Sequence, residues 1–204
     1  NPVTCFNNSL EWTHGHRLKK YHGAEFEYNY AGIRLKKTAN GKTTKYALEG
    51  DKIIAIEQTY GNTTQNMIFY YGVDGVSGFE YEGEQYFYRK NIFGDILGIY
   101  KNAELIVKYA YDAWGENKTY VSDGSNWVLL ENSTALDSNS DYARNVRIAK
   151  LNPFLYRGYC FDRETGLYYL NARYYDPAIG RFLCPDSIEY LDSTVLGGLN
   201  LYAY

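Results

Sequence analysis

The sequence predicts an all-β protein of stacked antiparallel hairpins, and three observations predict it. Tyrosine and glycine are in excess, at 24 Tyr and 19 Gly in 204 residues against 4 Pro and 1 Met. Tyrosine suits pleated positions with the ring packed and the hydroxyl wet, and glycine suits tight turns. A unit of aromatic residue, short turn, glycine and alternating stretch recurs along the chain. Between the turns, apolar and polar residues alternate with period two.

In order, the units run from Trp12 to Leu18, Tyr28 to Leu35, Tyr46 to Ile53, Tyr71 to Val76, Tyr88 to Leu97 and Tyr109 to Gly115. Their marker glycines, Gly15, Gly32, Gly50, Gly75, Gly94 and Gly115, lie 17 to 25 residues apart. That spacing holds one hairpin of two strands and two turns, and each glycine is expected at positive φ. From Leu105 to Asp112, one face carries Leu105, Val107, Tyr109 and Tyr111, and the other Ile106, Lys108, Ala110 and Asp112. Glu80, Glu82 and Glu84 are expected on one wet strand face opposite Phe79 and Tyr81.

The pattern breaks after Val121. A turn is expected at Ser122 to Ser125, a short apolar strand at Trp127 to Leu130, and a polar loop from Asn132 to Asp141. Tyr142 to Ala149 reads as one or two helical turns, ended before Pro153. A second short helix is expected from Asp186 to Leu196, before Gly197 and Gly198. The organisation is thus repeat hairpins over 1–121, an irregular insert over 122–151 and a distinct C-terminal module over 152–204. The chain opens on Asn1-Pro2 and closes on Leu201 to Tyr204 in mid-pattern, so both ends read as cuts in a larger protein.

Composition excludes several classes. At 45% hydrophobic and 22% charged residues the chain is globular. A net charge of −3 without a basic stripe gives nucleic-acid binding no electrostatic support. No apolar run is long enough to span a bilayer. Cys5, Cys160 and Cys184 make neither a disulfide framework nor a zinc site. Cys160 and Cys184 either pair beside their turns or stay as buried thiols, and the second reading is favoured. His14 and His16 would share a strand face, with His22 nearby, but no matching carboxylate or cysteine pattern accompanies them, so no metal is expected. Phosphate loops, nucleophile elbows and metalloprotease helices do not occur in the sequence, and no cofactor is implied.

The richest stretch runs from Asn152 to Asp186. It holds six tyrosines between Tyr156 and Tyr175 and two Asp-x-x-x-Gly turn signals, Asp162 to Gly166 and Asp176 to Gly180. Arg157-Gly158-Tyr159, Asp162 to Gly166, the run Arg173-Tyr174-Tyr175-Asp176-Pro177 and Gly180-Arg181-Phe182 resemble the core signature of Rhs proteins, with Leu199 to Tyr204 as its continuation. Tyr109 to Gly115 resembles the tyrosine–aspartate repeat of the same family, and Tyr88 to Gly98 is similar to the repeat that precedes the core. The likeness is close over 152–204 and looser over most of the rest.

The resemblance implies a β ribbon spiralling into a hollow shell, which in bacterial members encloses a variable C-terminal toxin. It implies upstream repeats and that toxin domain as partners, in a secreted or cell-surface protein. The family core also cuts the chain just downstream of itself, at a motif that would lie beyond Tyr204. By motif the candidates for that reaction are Asp176 and Asp186, with Arg173 or Arg181 nearby. Paired carboxylates sharing a proton can activate water. Asp186 is followed by Ser187 where the family pattern has proline.

The ordinary reading of these residues is structural. Asp162 and Asp176 are expected to cap turns through their side chains, and Arg157, Arg173 and Arg181 to stack on rings or pair with those aspartates. Three function classes follow. The favoured one is a non-enzymatic shell fragment that encloses or delivers a toxin. The others are a carbohydrate- or surface-binding adhesin whose tyrosines stack on glycans, and a self-cleaving aspartyl core without its cleavage site.

Overall fold

Two-residue turns set the strand order. Asn40-Gly41 and Asn102-Ala103 both hold successive residues at positive φ, 52° and 73° in the first and 48° and 68° in the second. That pairing is the type I′ turn, whose twist matches that of the strands it joins. All six marker glycines adopt positive φ as well. A computed structural model describes residues 2–5, 8–15, 17–133, 140–185 and 202.

β1 (Thr4–Cys5) and β2 (Asn8–Ser9) form a two-stranded ladder. β3 (Glu11–Thr13), β4 (Arg17–Tyr21), β5 (Ala24–Tyr28), β6 (Arg34–Ala39), β7 (Lys42–Glu49), β8 (Lys52–Tyr60) and β9 (Thr63–Gly72) begin a thirteen-stranded sheet. It continues through β10 (Gly75–Tyr81), β11 (Glu84–Lys90), β12 (Ile96–Lys101), β13 (Glu104–Tyr111), β14 (Asn117–Ser122) and β15 (Trp127–Leu129), in unbroken chain order. After helix α1 (Asp141–Leu151), β16 (Cys160–Asp162), β17 (Leu167–Leu170), β18 (Arg173–Asp176) and β19 (Arg181–Phe182) make a separate four-stranded sheet. The predicted all-β hairpin fold is therefore the observed one.

The chain divides into two compact units, one of Asn1–Gln65 with Phe161–Tyr204, the other of Asn66–Cys160. In the first, Leu18, Phe26, Tyr46, Ile56, Tyr168, Tyr169, Tyr174 and Tyr175 are buried. The other face of its strands is wet and carries ion pairs directly opposite in register: Lys20 with Glu25 at 2.7 Å, Lys36 with Glu27 at 2.8 Å and Lys45 with Glu57 at 2.8 Å. In the second unit, Phe79 stacks on Tyr86 with centroids 5.0 Å apart, and Phe69 meets Phe154 edge-on at 4.9 Å. Helix α1 covers β13 and β14. Its N-cap Ser140 accepts a hydrogen bond from the Ala143 N–H at 3.1 Å, and Asp141 and Lys150 sit at the ends that suit the helix dipole. β13 buries Ile106 as well as Val107 and Tyr109, so this part of the sheet is covered on both faces.

Two expectations are corrected. Glu80, Glu82 and Glu84 do not share a strand: Glu82 takes φ 53° in the turn, and Tyr81 faces Glu84 across the β10–β11 ladder. An alternating run folded at its middle becomes a hairpin. His14 (φ 47°) likewise occupies a turn and not the strand face expected for it. His16 and the second expected helix lie outside the described residues, among which no group of three His, Cys, Asp or Glu side chains is placed to hold a metal. Cys160 and Cys184 are buried thiols and not a disulfide. Among the described residues no helix is long and apolar enough to cross a membrane.

A buried charge node as candidate functional site

The node begins with a β-bulge. Glu27 faces Lys36 across the β5–β6 ladder but Tyr28 faces Arg34, so Leu35 is the extra residue. On a regular strand, positions 34 and 37 would point to opposite faces. The bulge resets the alternation and turns both side chains inward, leaving Arg34 1% and Lys37 6% exposed.

Asp162 meets them from the end of β16. Its backbone carbonyl closes the following turn, accepting from the Thr165 N–H at 3.1 Å and the Gly166 N–H at 2.8 Å. The carboxylate is thereby free for longer-range partners. Oδ2 accepts from the Arg34 guanidinium and Oδ1 from Lys37 Nζ at 2.8 Å. Lys37 also donates to Glu164 Oε2 at 2.6 Å, and Lys42 Nζ lies 3.0 Å from Glu164 Oε1. Asp162 is thus not the side-chain turn cap expected of it. Its carbonyl caps, and its carboxylate holds partners 128 and 125 residues away in the chain.

Aromatic rings enclose the guanidinium. Arg34 Cζ is 4.3 Å from the Tyr169 centroid, 4.6 Å from Tyr46, 5.5 Å from Phe26 and 5.9 Å from Tyr174. The Arg34 N–H donates to the Tyr169 hydroxyl at 2.8 Å. Tyr28 donates its hydroxyl proton to the Leu18 carbonyl at 2.6 Å, and its oxygen lies 3.0 Å from that of Tyr174. Burial pushes the Tyr28 and Tyr174 phenols well above their ordinary range. Burial also opposes ionisation of Glu164 and Lys37, but their partners outweigh it. Lys37 and Lys42 bring Glu164 down to about 2, and Asp162, Tyr46 and Glu164 hold Lys37 above its usual value. Buried charges cost several kcal/mol each unless paired with good geometry, and here the pairing is dense.

The second unit holds residues 152–158 through an amide, two phenols and the buried carboxylate of Asp95. Asn152 Oδ1 accepts from the Tyr88 hydroxyl at 2.6 Å, and Nδ2 donates to the Tyr109 hydroxyl at 3.0 Å and the Phe154 carbonyl at 2.8 Å. The Arg157 N–H donates to Asp95 Oδ1 at 2.9 Å, and the Ile96 N–H to the Leu155 carbonyl at 3.1 Å. Tyr156 lies on Gly115, where an added Cβ would come within 2.6 Å of the ring.

The residues expected from the core signature fall into place around these anchors. Arg157 (φ 54°) and Gly158 (φ 68°) form a tight turn that the Tyr159 N–H closes on the Tyr156 carbonyl at 2.9 Å, with the Arg157 guanidinium 5.3 Å from the Phe93 centroid. Tyr174 and Tyr175 pair with Tyr169 and Tyr168 across the β17–β18 ladder. Arg173 lies 3.8 Å over the Phe182 ring. Asp176 is buried, accepts from the Ala178 N–H at 2.9 Å as a cap of the Pro177 turn, and faces Arg181 in register. Gly166 and Gly180 adopt positive φ. Asp186 lies outside the described residues. The sequence reading missed Arg34, Lys37, Lys42 and Glu164, since nothing local marks the first two as partners of Asp162 or the two lysines as partners of Glu164.

No family model matches the chain. The hairpin ladder with its four-stranded core is the fold of the Rhs-type shell. It superposes on a chain of the Photorhabdus luminescens Tc holotoxin pore with a TM-score of 0.69 at 19% identity, over 98% of this chain and 10% of that one. In sequence the chain is 35% identical over 184 residues to the tRNA nuclease WapA of Bacillus subtilis (strain 168). It is 34% identical over 184 residues to the tRNA3(Ser)-specific nuclease WapA of Bacillus spizizenii. Each match takes in 89% of this chain but 7% of the relative, so the chain spans less than a tenth of the length of these proteins.

Proposed function

We propose that the chain is a non-enzymatic wall segment, the last repeats and the core of an Rhs-type shell that encloses or delivers a toxin carried further along the same polypeptide. The observation that carries this reading is the uninterrupted thirteen-stranded ladder with the Rhs-type fold, in a chain similar to a small part of proteins named as nucleases. The nuclease activity in those names then belongs to another part of the polypeptide. The partners are upstream repeats and that domain, in an exported or cell-surface protein. The tyrosines of β17 and β18 are buried, which supports wall packing over a glycan-stacking face.

The test is latency. A polypeptide carrying this segment and its downstream domain is expected to leave tRNA intact until the shell is opened by limited proteolysis. Equal cleavage before and after opening overturns the reading.

Self-processing is the second reading, favoured by a buried Asp176 facing Arg181. Asp176→Asn or Asp186→Asn in the extended polypeptide should then stop a cut beyond Tyr204, read as intact mass. Unchanged cutting in both variants removes the reading.

A further inference from the structure

The sheet β16–β19 shares no strand pairing with the hairpins of its own unit. Rings pack across the attachment, with Phe26 and Tyr174 5.2 Å apart, and its charged contacts converge on a few atoms. Arg34 and Lys37 bind Asp162, Lys37 and Lys42 bind Glu164, and Tyr28 meets Tyr174. A peripheral contact, Asn171 Nδ2 to Asp51 Oδ2 at 3.4 Å, is long and exposed. The small sheet meanwhile has internal cohesion. Tyr168 pairs with Tyr175 and Tyr169 with Tyr174, and Tyr175 meets Phe182 at 5.6 Å. The strand beneath carries a bulge whose effect is to present Arg34 and Lys37 together.

We infer that the node is an ionic latch, by which the β16–β19 sheet can detach from β4–β8 as a unit while those hairpins stay folded. The physical reason is the all-or-none character of buried charge. A paired node is tolerated, but loss of one partner leaves an uncompensated ion that favours any opening that lets water in. Apolar contact loosens gradually as area is lost, whereas an ionic contact this buried is either complete or hydrated. The hairpins of β4–β8 have their own ladders and do not depend on the latch for their backbone hydrogen bonds. Local opening along such a seam is how proteins release one cooperative element ahead of the rest. The inference concerns this chain alone and goes beyond the shell reading.

The experiment is amide hydrogen exchange by mass spectrometry on the whole chain, wild type against Lys37→Met, which removes one partner of Asp162 and keeps Arg34. Exchange over 160–176 should rise at least about tenfold, as expected for losing one partner of a buried pair, while 42–60 keeps wild-type protection. Glu164→Gln, at the outer edge of the node, should give a smaller rise over the same residues and decides the matter if Lys37→Met does not fold. Tyr174→Phe, which keeps every charge, should change 160–176 less than either. Equal rises over 160–176 and 42–60, or no rise in 160–176, overturn the latch. Either result leaves the latency test of the shell untouched.

Discussion

Residues 161–176 of the first unit and residues 152–158 of the second are fastened to the hairpins of their own units by different chemistry. Residues 161–176 meet β6 and β7 through full charges around Asp162, whereas residues 152–158 meet β11 to β13 through the amide of Asn152, the phenols of Tyr88 and Tyr109, and Gly115. Both anchors are buried and both use a single short polar side chain as hub. The ionic hub demands exact partner charge, so it selects one docking geometry. The neutral hub demands only direction and space. The first seam thus rests on full charges and the second mostly on neutral groups, beside the Asp95 carboxylate that accepts from the Arg157 N–H.

The largest expected effect is loss of the ionic hub. Asp162→Ala takes the carboxylate from the buried Arg34 guanidinium, leaves Lys37 with Glu164 alone, and should cost about 3–5 kcal/mol in urea unfolding. Acid should reveal the same asymmetry. Glu164 is held at about 2, below its ordinary 4.5, with its side chain 10% exposed. A lowered folded value means stability present above pH 4.5 and lost as pH falls towards 2, on the order of 3 kcal/mol from the size of that shift. Glu164→Gln should flatten this acid limb. Lys37 works in the opposite direction: its raised value stabilises the fold fully below about 10.5, its ordinary value, and less as pH rises beyond.

Asn152→Ala is expected to cost about 1–3 kcal/mol, because it leaves two phenols and a carbonyl short of a partner but strands no charge. A cost above that of Asp162→Ala would reverse the comparison. Gly115→Ala should cost about 2 kcal/mol, from positive φ together with collision on Tyr156. Gly94→Ala, where the nearest atom to an added Cβ is 3.7 Å away, should cost about 1 kcal/mol, from φ alone. At the bottom of the scale, Lys45→Ala breaks an exposed pair with Glu57 and should move stability by less than about 0.5 kcal/mol.

The hairpins were legible because their causes are local. Period-two runs and turn residues such as Gly32 and Gly94 act within a few positions of themselves, and the helix ended by Pro153 was readable for the same reason. The glutamates at 80, 82 and 84 were misread where local signals compete. The same alternation suits one strand or two, and only the positive φ of Glu82 divides them. Asp176 was legible as a cap because its partner, Ala178, is two residues away.

By itself the sequence determined an all-β hairpin ladder and the turns at its six marker glycines, since each follows from a side chain's effect on its own stretch of backbone. Only the tertiary structure decided what Asp162 does. Its partners Arg34 and Lys37 lie 128 and 125 residues away, and they share a face only because Leu35 is bulged out of the ladder. A charge node of that kind is written in distances between strands, and a one-dimensional pattern does not contain them.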